Sequence, residues 1–131
     1  MTFRYTILYV DDVAASMGFF ERAFGLERSF LHESGDYGEL ATGETRLAFS
    51  STRLMRELGK VTQPPSRERP VFELAFETGN VARALAQAVA AGATLVQDVR
   101  EESWGQTTSY VSDPNGYLIE ICSPVQLPSP G

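Results

Sequence analysis

The chain has 131 residues, 43% hydrophobic and 21% charged, enough to bury the core of one ordinary domain and too few for two full-size ones. Seventeen acidic residues against 11 basic ones give a net charge of −6, and Lys60 is the only lysine, so nucleic acid and anionic membrane surfaces would be repelled. Cys122 is the only cysteine and His32 the only histidine, which excludes an internal disulfide and leaves almost nothing from which to build a Cys/His zinc site. The residues after Met1 contain no apolar run of signal-peptide or membrane-spanning length, and the expectation is a cytoplasmic protein.

Residues 3–10 (FRYTILYV) read as a strand, rich in Phe, Tyr, Ile and Val and free of Gly and Pro; Asp11 and Asp12 stop it. Asp12 is positioned to cap a helix over residues 13–24, where Val13, Met17, Phe20 and Phe24 recur at helical spacing and Gly25 closes the end. Three short strands follow at 27–32, 37–41 and 46–50, separated by Ser34-Gly35-Asp36 and Thr42-Gly43-Glu44. The first half therefore reads βαβββ. Residues 51–70 form a linker holding a short helix at 52–58 and the Pro64-Pro65 pair.

The second half repeats this order, which makes an internal duplication the main organisational signal. Residues 71–77 (VFELAFE) are the strand, Asn80 caps an Ala-rich helix over 81–91, and Gly92 ends it. Strands at 94–100, 107–112 and 118–122 complete the module, with Asp113-Pro114-Asn115-Gly116 as the last turn. The modules thus occupy residues 3–50 and 71–123, and the tail at 124–131 is expected to be loosely ordered. Aligning Asp12-Val13 with Asn80-Val81 places Tyr5 opposite Glu73, and aligning residues 47–49 with 119–121 places Ala48 opposite Glu120.

Alternate residues of a strand face opposite sides of its sheet. Leu47 and Phe49, the series Phe72, Leu74 and Phe76, and the pair Ile119 and Ile121 are assigned to the faces beneath the helices. The other faces then carry Tyr5, Ile7 and Tyr9; Arg46, Ala48 and Ser50; Glu73, Ala75 and Glu77; and Leu118, Glu120 and Cys122. Carboxylates, phenols, an arginine and small residues together suit a curved surface lining a cavity better than a second dry core; the competing reading is a solvated face.

Three segments carry a family resemblance over residues 4–123: 5–13 (YTILYVDDV) with Phe19-Phe20 and Phe24-Gly25-Leu26; 76–81 (FETGNV) with Ala91-Gly92-Ala93; and 113–120 (DPNGYLIE). Together they resemble the vicinal oxygen chelate superfamily, which includes glyoxalase I, extradiol dioxygenases and bleomycin-resistance proteins. The resemblance implies an α+β fold of two βαβββ modules forming curved sheets around a cavity, in a homodimer whose chains can exchange modules. Metal-dependent relatives place one ligand each on the first, fourth, fifth and eighth strands, and those places here are Tyr5, Ala48, Glu73 and Glu120. Only Glu120 keeps the usual residue type, and Ala48 has no donor at all. The expectation is a member without a metal or other cofactor, with weak divalent-cation binding at Glu73 and Glu120 as the alternative.

The candidate ligand-binding residues are Tyr5, Ile7, Tyr9, Arg46, Ala48, Glu73, Trp104, Tyr110 and Glu120. If Glu73 and Glu120 approach one another, their like charges oppose joint ionisation, so that one holds a proton or a cation sits between them; neutralisation by Arg46 or by solvent is the competing account. Tyr5, Tyr9 and Trp104 suit stacking on an aromatic or cationic compound. The face occupied by Tyr110 is open at this stage. His32 is read as a rim residue and Cys122 as a small buried hydrophobe, since no histidine stands ready to ionise it. Two functions follow. One is sequestration of a small flat or cationic compound, of the bleomycin-resistance, antibiotic-binding kind, without catalysis. The other is a glyoxalase-like lyase or isomerase that uses Glu73 or Glu120 as general base with Tyr5 as proton donor. A structural subunit that binds no ligand is a third, plainer reading.

Overall fold

The computed structural model describes residues 1–126, and the tail expected to be loosely ordered lies, from residue 127 on, outside the described residues. The elements run β1 (Tyr5–Val10), α1 (Val13–Phe24), β2 (Glu27–Leu31), β3 (Tyr37–Ala41), β4 (Arg46–Ser51), α2 (Thr52–Glu57), β5 (Glu73–Glu77), α3 (Val81–Ala90), β6 (Thr94–Glu102), β7 (Gln106–Ser112) and β8 (Leu118–Cys122). The chain divides into two compact units, Met1–Pro64 and Pro65–Gly131. Each holds one four-stranded sheet, ordered β1-β4-β3-β2 in the first and β5-β8-β7-β6 in the second. In both, the first strand pairs parallel with the last, and the two remaining strands pair antiparallel beside it. The fold is α+β, built from two βαβββ modules of like topology. No helix among the described residues is long and apolar enough to cross a membrane.

Local chemistry sets the helix ends alike in both units. The Asp12 carboxylate accepts the Ala15 N–H at 3.0 Å, and the Asn80 side chain accepts the Arg83 N–H at 3.1 Å, each satisfying an amide that the first turn leaves free. Gly25 closes α1 in the left-handed region (φ 67°), where a side chain would be strained, and its N–H donates to the Glu21 carbonyl at 3.0 Å.

In the first unit α1 packs on β4, β3 and β2. Met17, Phe20, Leu40 and Phe49 are fully buried between helix and sheet. The rings of Phe20 and Phe49 lie 5.3 Å apart across that interface. Each such side chain contributes about 1.5–3 kcal/mol relative to exposure. In the second unit α3 lies over β7, β6 and β8 and brings Leu85 and Ala88 against the sheet carrying Val111, Ile119 and Ile121. The Asp113-Pro114-Asn115-Gly116 turn is tied down from inside. The buried Asp113 carboxylate accepts the N–H groups of Asn115, Gly116 and Tyr117 at 3.1, 2.8 and 2.7 Å.

The expected elements are all present, most with ends within two residues of those read from the sequence. One assignment is corrected. Phe72 does not lie under a helix. The fifth strand begins at Glu73, because β8, its only partner among the described residues, begins at Leu118, opposite Glu73. Phe72 is 48% exposed and meets the Tyr117 ring at 5.9 Å. Leu74 and Phe76 do face the helix side but are only half-buried, since β5 is an edge strand and α3 sits over the other three.

Two substitutions test this packing. A Cβ on Gly38 would stand 2.3 Å from Sδ of Met17, itself fully buried, and 3.2 Å from the Phe30 carbonyl. Gly38→Ala is expected to destabilise the protein by about 1–3 kcal/mol in urea denaturation. Asp113→Ala removes the shared acceptor of three amides and is expected to cost about 2–3 kcal/mol in the same measurement.

Candidate functional site

The face of each sheet turned away from its helix carries the polar residues, and strand register fixes their neighbours. In the second unit Ala75, Glu120, Tyr110 and Gln97 form one row across β5, β8, β7 and β6. The next row down runs Glu73, Leu118 and Ser112, and the next row up Glu77, Cys122 and Thr108. Tyr110 therefore shares a face with Glu120, which settles the side left open by the sequence. Its hydroxyl donates to Oε2 of Glu120 at 2.6 Å. That bond, partial desolvation and the nearby carboxylates hold the phenol well above its usual range, so it stays protonated. Partial burial, reinforced by the charge of Glu120, raises Glu73 above the ordinary carboxylate value.

Cys122 lies two residues along the same face. Burial and the carboxylates of Glu120 and Glu77 push its thiol up to about 11. The thiol points to the Phe76 carbonyl at 3.7 Å and is a neutral packing group, unsuited to nucleophilic attack. Ser112, 2% exposed, has a hydroxyl with no hydrogen-bond partner among the described residues.

In the first unit the corresponding rows are Tyr5 with Arg46; Ile7, Ala48 and Glu39; and Tyr9, Ser50 and Tyr37. Tyr5, Ile7, Tyr9, Arg46 and Ala48 share one face, as the alternation implies. Glu39 and Tyr37 on β3 join them, and sequence reasoning passed over both. The signal was present: Tyr37-x-Glu39 alternates, and the short Thr42-Gly43-Glu44 turn sets those side chains beside Ala48 and Ser50. The Tyr37 hydroxyl donates to Oε2 of Glu39 at 2.9 Å, and the Arg46 guanidinium lies 3.8 Å from Oε1. Burial first, then the bond to Glu39 and its charge, holds the Tyr37 phenol well above its usual range. Arg46 also donates to the Ser29 hydroxyl at 2.8 Å. Its polar partners thus belong to its own unit. The Lys60 ammonium sits 5.9 Å above the Tyr9 ring.

Trp104 stands on the β6–β7 turn, 55% exposed, its indole N–H donating to the Gln106 side chain at 2.7 Å. Five residues of chain lie between it and Tyr110, at most about 20 Å at strand rise. His32 lies just past β2, Nδ1 being 2.8 Å from the Ser34 hydroxyl.

The two positions at which the first unit would offer metal ligands are Tyr5 and Ala48. Ala48 is a fully buried methyl group with no donor atom. The nearest carboxylate in its row, Glu39, stands one strand over and is engaged by Tyr37 and Arg46. At its two corresponding positions the second unit carries Glu73 and Glu120. Among the described residues no three His, Cys, Asp or Glu side chains gather as a metal-binding group. This donor set does not fit the ligands of the metal-dependent relatives.

Comparison with known proteins places the chain. The family model for the glyoxalase/bleomycin resistance protein/dioxygenase superfamily matches residues 2–121. Among solved structures, a glyoxalase-related enzyme from Fulvimarina pelagi is 23% identical, covers 95% of this chain and 88% of its own, and superposes with a TM-score of 0.82. A glyoxalase/bleomycin resistance protein/dioxygenase family enzyme from Burkholderia phytofirmans PsJN is 21% identical over 94% of this chain and 98% of its own, with a TM-score of 0.80. A glyoxalase/bleomycin resistance protein/dioxygenase from Nocardioides is 20% identical over 100% of this chain and 88% of its own, with a TM-score of 0.77. No curated protein matches. At these identities the structural likeness shows the shared fold, and the family match joins it to the segments at 5–13, 76–81 and 113–120: the chain belongs to the glyoxalase/bleomycin resistance protein/dioxygenase superfamily.

Proposed function

We propose that this protein sequesters a small flat or cationic compound, in the manner of the bleomycin-resistance proteins of its superfamily, without metal chemistry. The observation that carries the reading is Ala48, a buried methyl group where metal-dependent relatives keep a ligand, while Glu120 remains as a carboxylate held by the Tyr110 hydroxyl. A sequestering protein needs affinity alone, which charge pairing and aromatic contact supply. The reading includes a homodimer and a cytoplasmic location, the expectations drawn from the resemblance and from the sequence.

One observation favours a second reading. Glu73 is raised above the ordinary carboxylate value, which suits a general base abstracting a proton next to a carbonyl, as in a glyoxalase-like lyase or isomerase. In that case Tyr110, whose hydroxyl is bonded to the neighbouring acid, joins Tyr5 as a candidate proton donor.

A thermal-shift screen against divalent metals, basic aromatic drugs and thiol adducts of 2-oxoaldehydes separates the two. Binding at 100 times Kd adds about 2.7 kcal/mol and raises Tm by several degrees. The expected outcome is a shift with aromatic cations that disappears in Glu73→Gln/Glu120→Gln. Turnover of a thiol adduct by the native protein, lost in Glu73→Gln, would establish the second reading instead. The pH dependence has a definite sign. A cation binds the ionised form of Glu73, whose pKa is raised, so affinity is full above that pKa and falls as pH drops through it. Titration with benzamidine, which stays charged between pH 8 and pH 4, is expected to show weakening that begins at a higher pH than an ordinary glutamate would give.

A further inference from the structure

We infer that the cation held on the second unit is one that donates N–H hydrogen bonds, a primary ammonium or an amidinium, and that a quaternary ammonium of like size and charge is rejected. This rests on the sequestration reading and adds the chemical class of its ligand.

The groups on this face are hydrogen-bond acceptors short of donors. Among the described residues neither Glu73 nor Glu120 has a Lys or Arg within ion-pairing distance, whereas Glu39 in the first unit is already matched by Arg46. A carboxylate offers about four lone-pair sites. On Glu120 the Tyr110 hydroxyl takes one of them, leaving the others for a ligand. Glu73 is exposed and accepts no hydrogen bond among the described residues. The independent sign is Ser112. It lies on the same face, diagonal to Glu120 across the β7–β8 pair, and its buried hydroxyl has no hydrogen-bond partner among the described residues, so its lone pairs are there to accept from an N–H group. An N–H cation supplies several donors at once. A quaternary ammonium supplies none and depends on a cage of aromatic faces. Tyr110 is the one aromatic residue that β5, β7 and β8 place on this face, and a single ring is not a cage.

The test is calorimetric titration of the full chain with benzylamine, benzamidine and benzyltrimethylammonium. The expected result is that benzylamine and benzamidine bind and the quaternary compound binds at least about tenfold more weakly, the scale of one charge-assisted hydrogen bond. The ratio between benzylamine and benzamidine assigns the preferred head group. Glu120→Gln keeps the shape of the side chain, and Glu73→Gln alters an exposed one; each is expected to weaken amine binding about tenfold or more while leaving the unliganded Tm near the native value. Equal or tighter binding of benzyltrimethylammonium would overturn the inference and leave sequestration of cations standing. Amine binding unchanged in both variants would also overturn it. Failure of all three compounds to bind would overturn the sequestration reading as well.

Discussion

The parallel pairing of the first strand of each unit with its last is the constraint on which the rest depends. Two parallel neighbours cannot be joined by a tight turn, so the chain must cross over before returning, and here it does so through a helix and two further strands. This places α1 and α3 on one face of their sheets and leaves the other face to the polar rows. Register does the rest. Tyr5 against Arg46, Ile7 against Ala48, and Glu73 against Leu118 fix every other row on the open face. A one-residue slip would turn Phe49 or Ile121 to the open side and bury Glu120 beneath a helix, at the cost of an unpaired buried charge.

On that open face the two units share a device. Each sets a tyrosine hydroxyl on a glutamate, Tyr37 on Glu39 and Tyr110 on Glu120, and in each the phenol is held protonated by the carboxylate and by burial. They differ in which strand carries the acid. In the second unit it is the last strand, β8; in the first it has moved one strand over to β3, leaving Ala48 on β4. Arg46 lies against Glu39, while among the described residues no Lys or Arg pairs with Glu73 or Glu120. The two like modules thus differ: among the described residues one face matches its carboxylate with an arginine and the other does not.

Much of this was legible in the sequence. The caps at Asp12 and Asn80, Gly25, the turn at 113–116 and the alternation of Leu47, Ala48 and Phe49 are local signals, and each places an element or a face by itself. Ala48 opposite Glu120 followed from the repeat. What stayed hidden were consequences of neighbours. Tyr110 had no assigned side until the β7–β8 register set it across from Glu120. Phe72 looked like core because it continued an apolar alternation, but a strand extends only as far as its partner, and β8 starts opposite Glu73. Glu39 was passed over because within its own strand it is an ordinary polar residue; its importance comes from lying beside Ala48.

The sequence by itself determined the elements, their order, the twofold repeat and the two faces of each strand. These depend on interactions between residues close in the chain, which helical and strand periods, caps and turns record directly. Only the tertiary structure decided which side chains meet: the Tyr–Glu pairs, the match of Arg46 to Glu39, the place of β5 at one end of its sheet and, among the described residues, the unmatched hydroxyl of Ser112. The reason is physical. Hydrogen bonds across a sheet join residues far apart in sequence, and how well a polar group is satisfied depends on those neighbours as much as on its own identity.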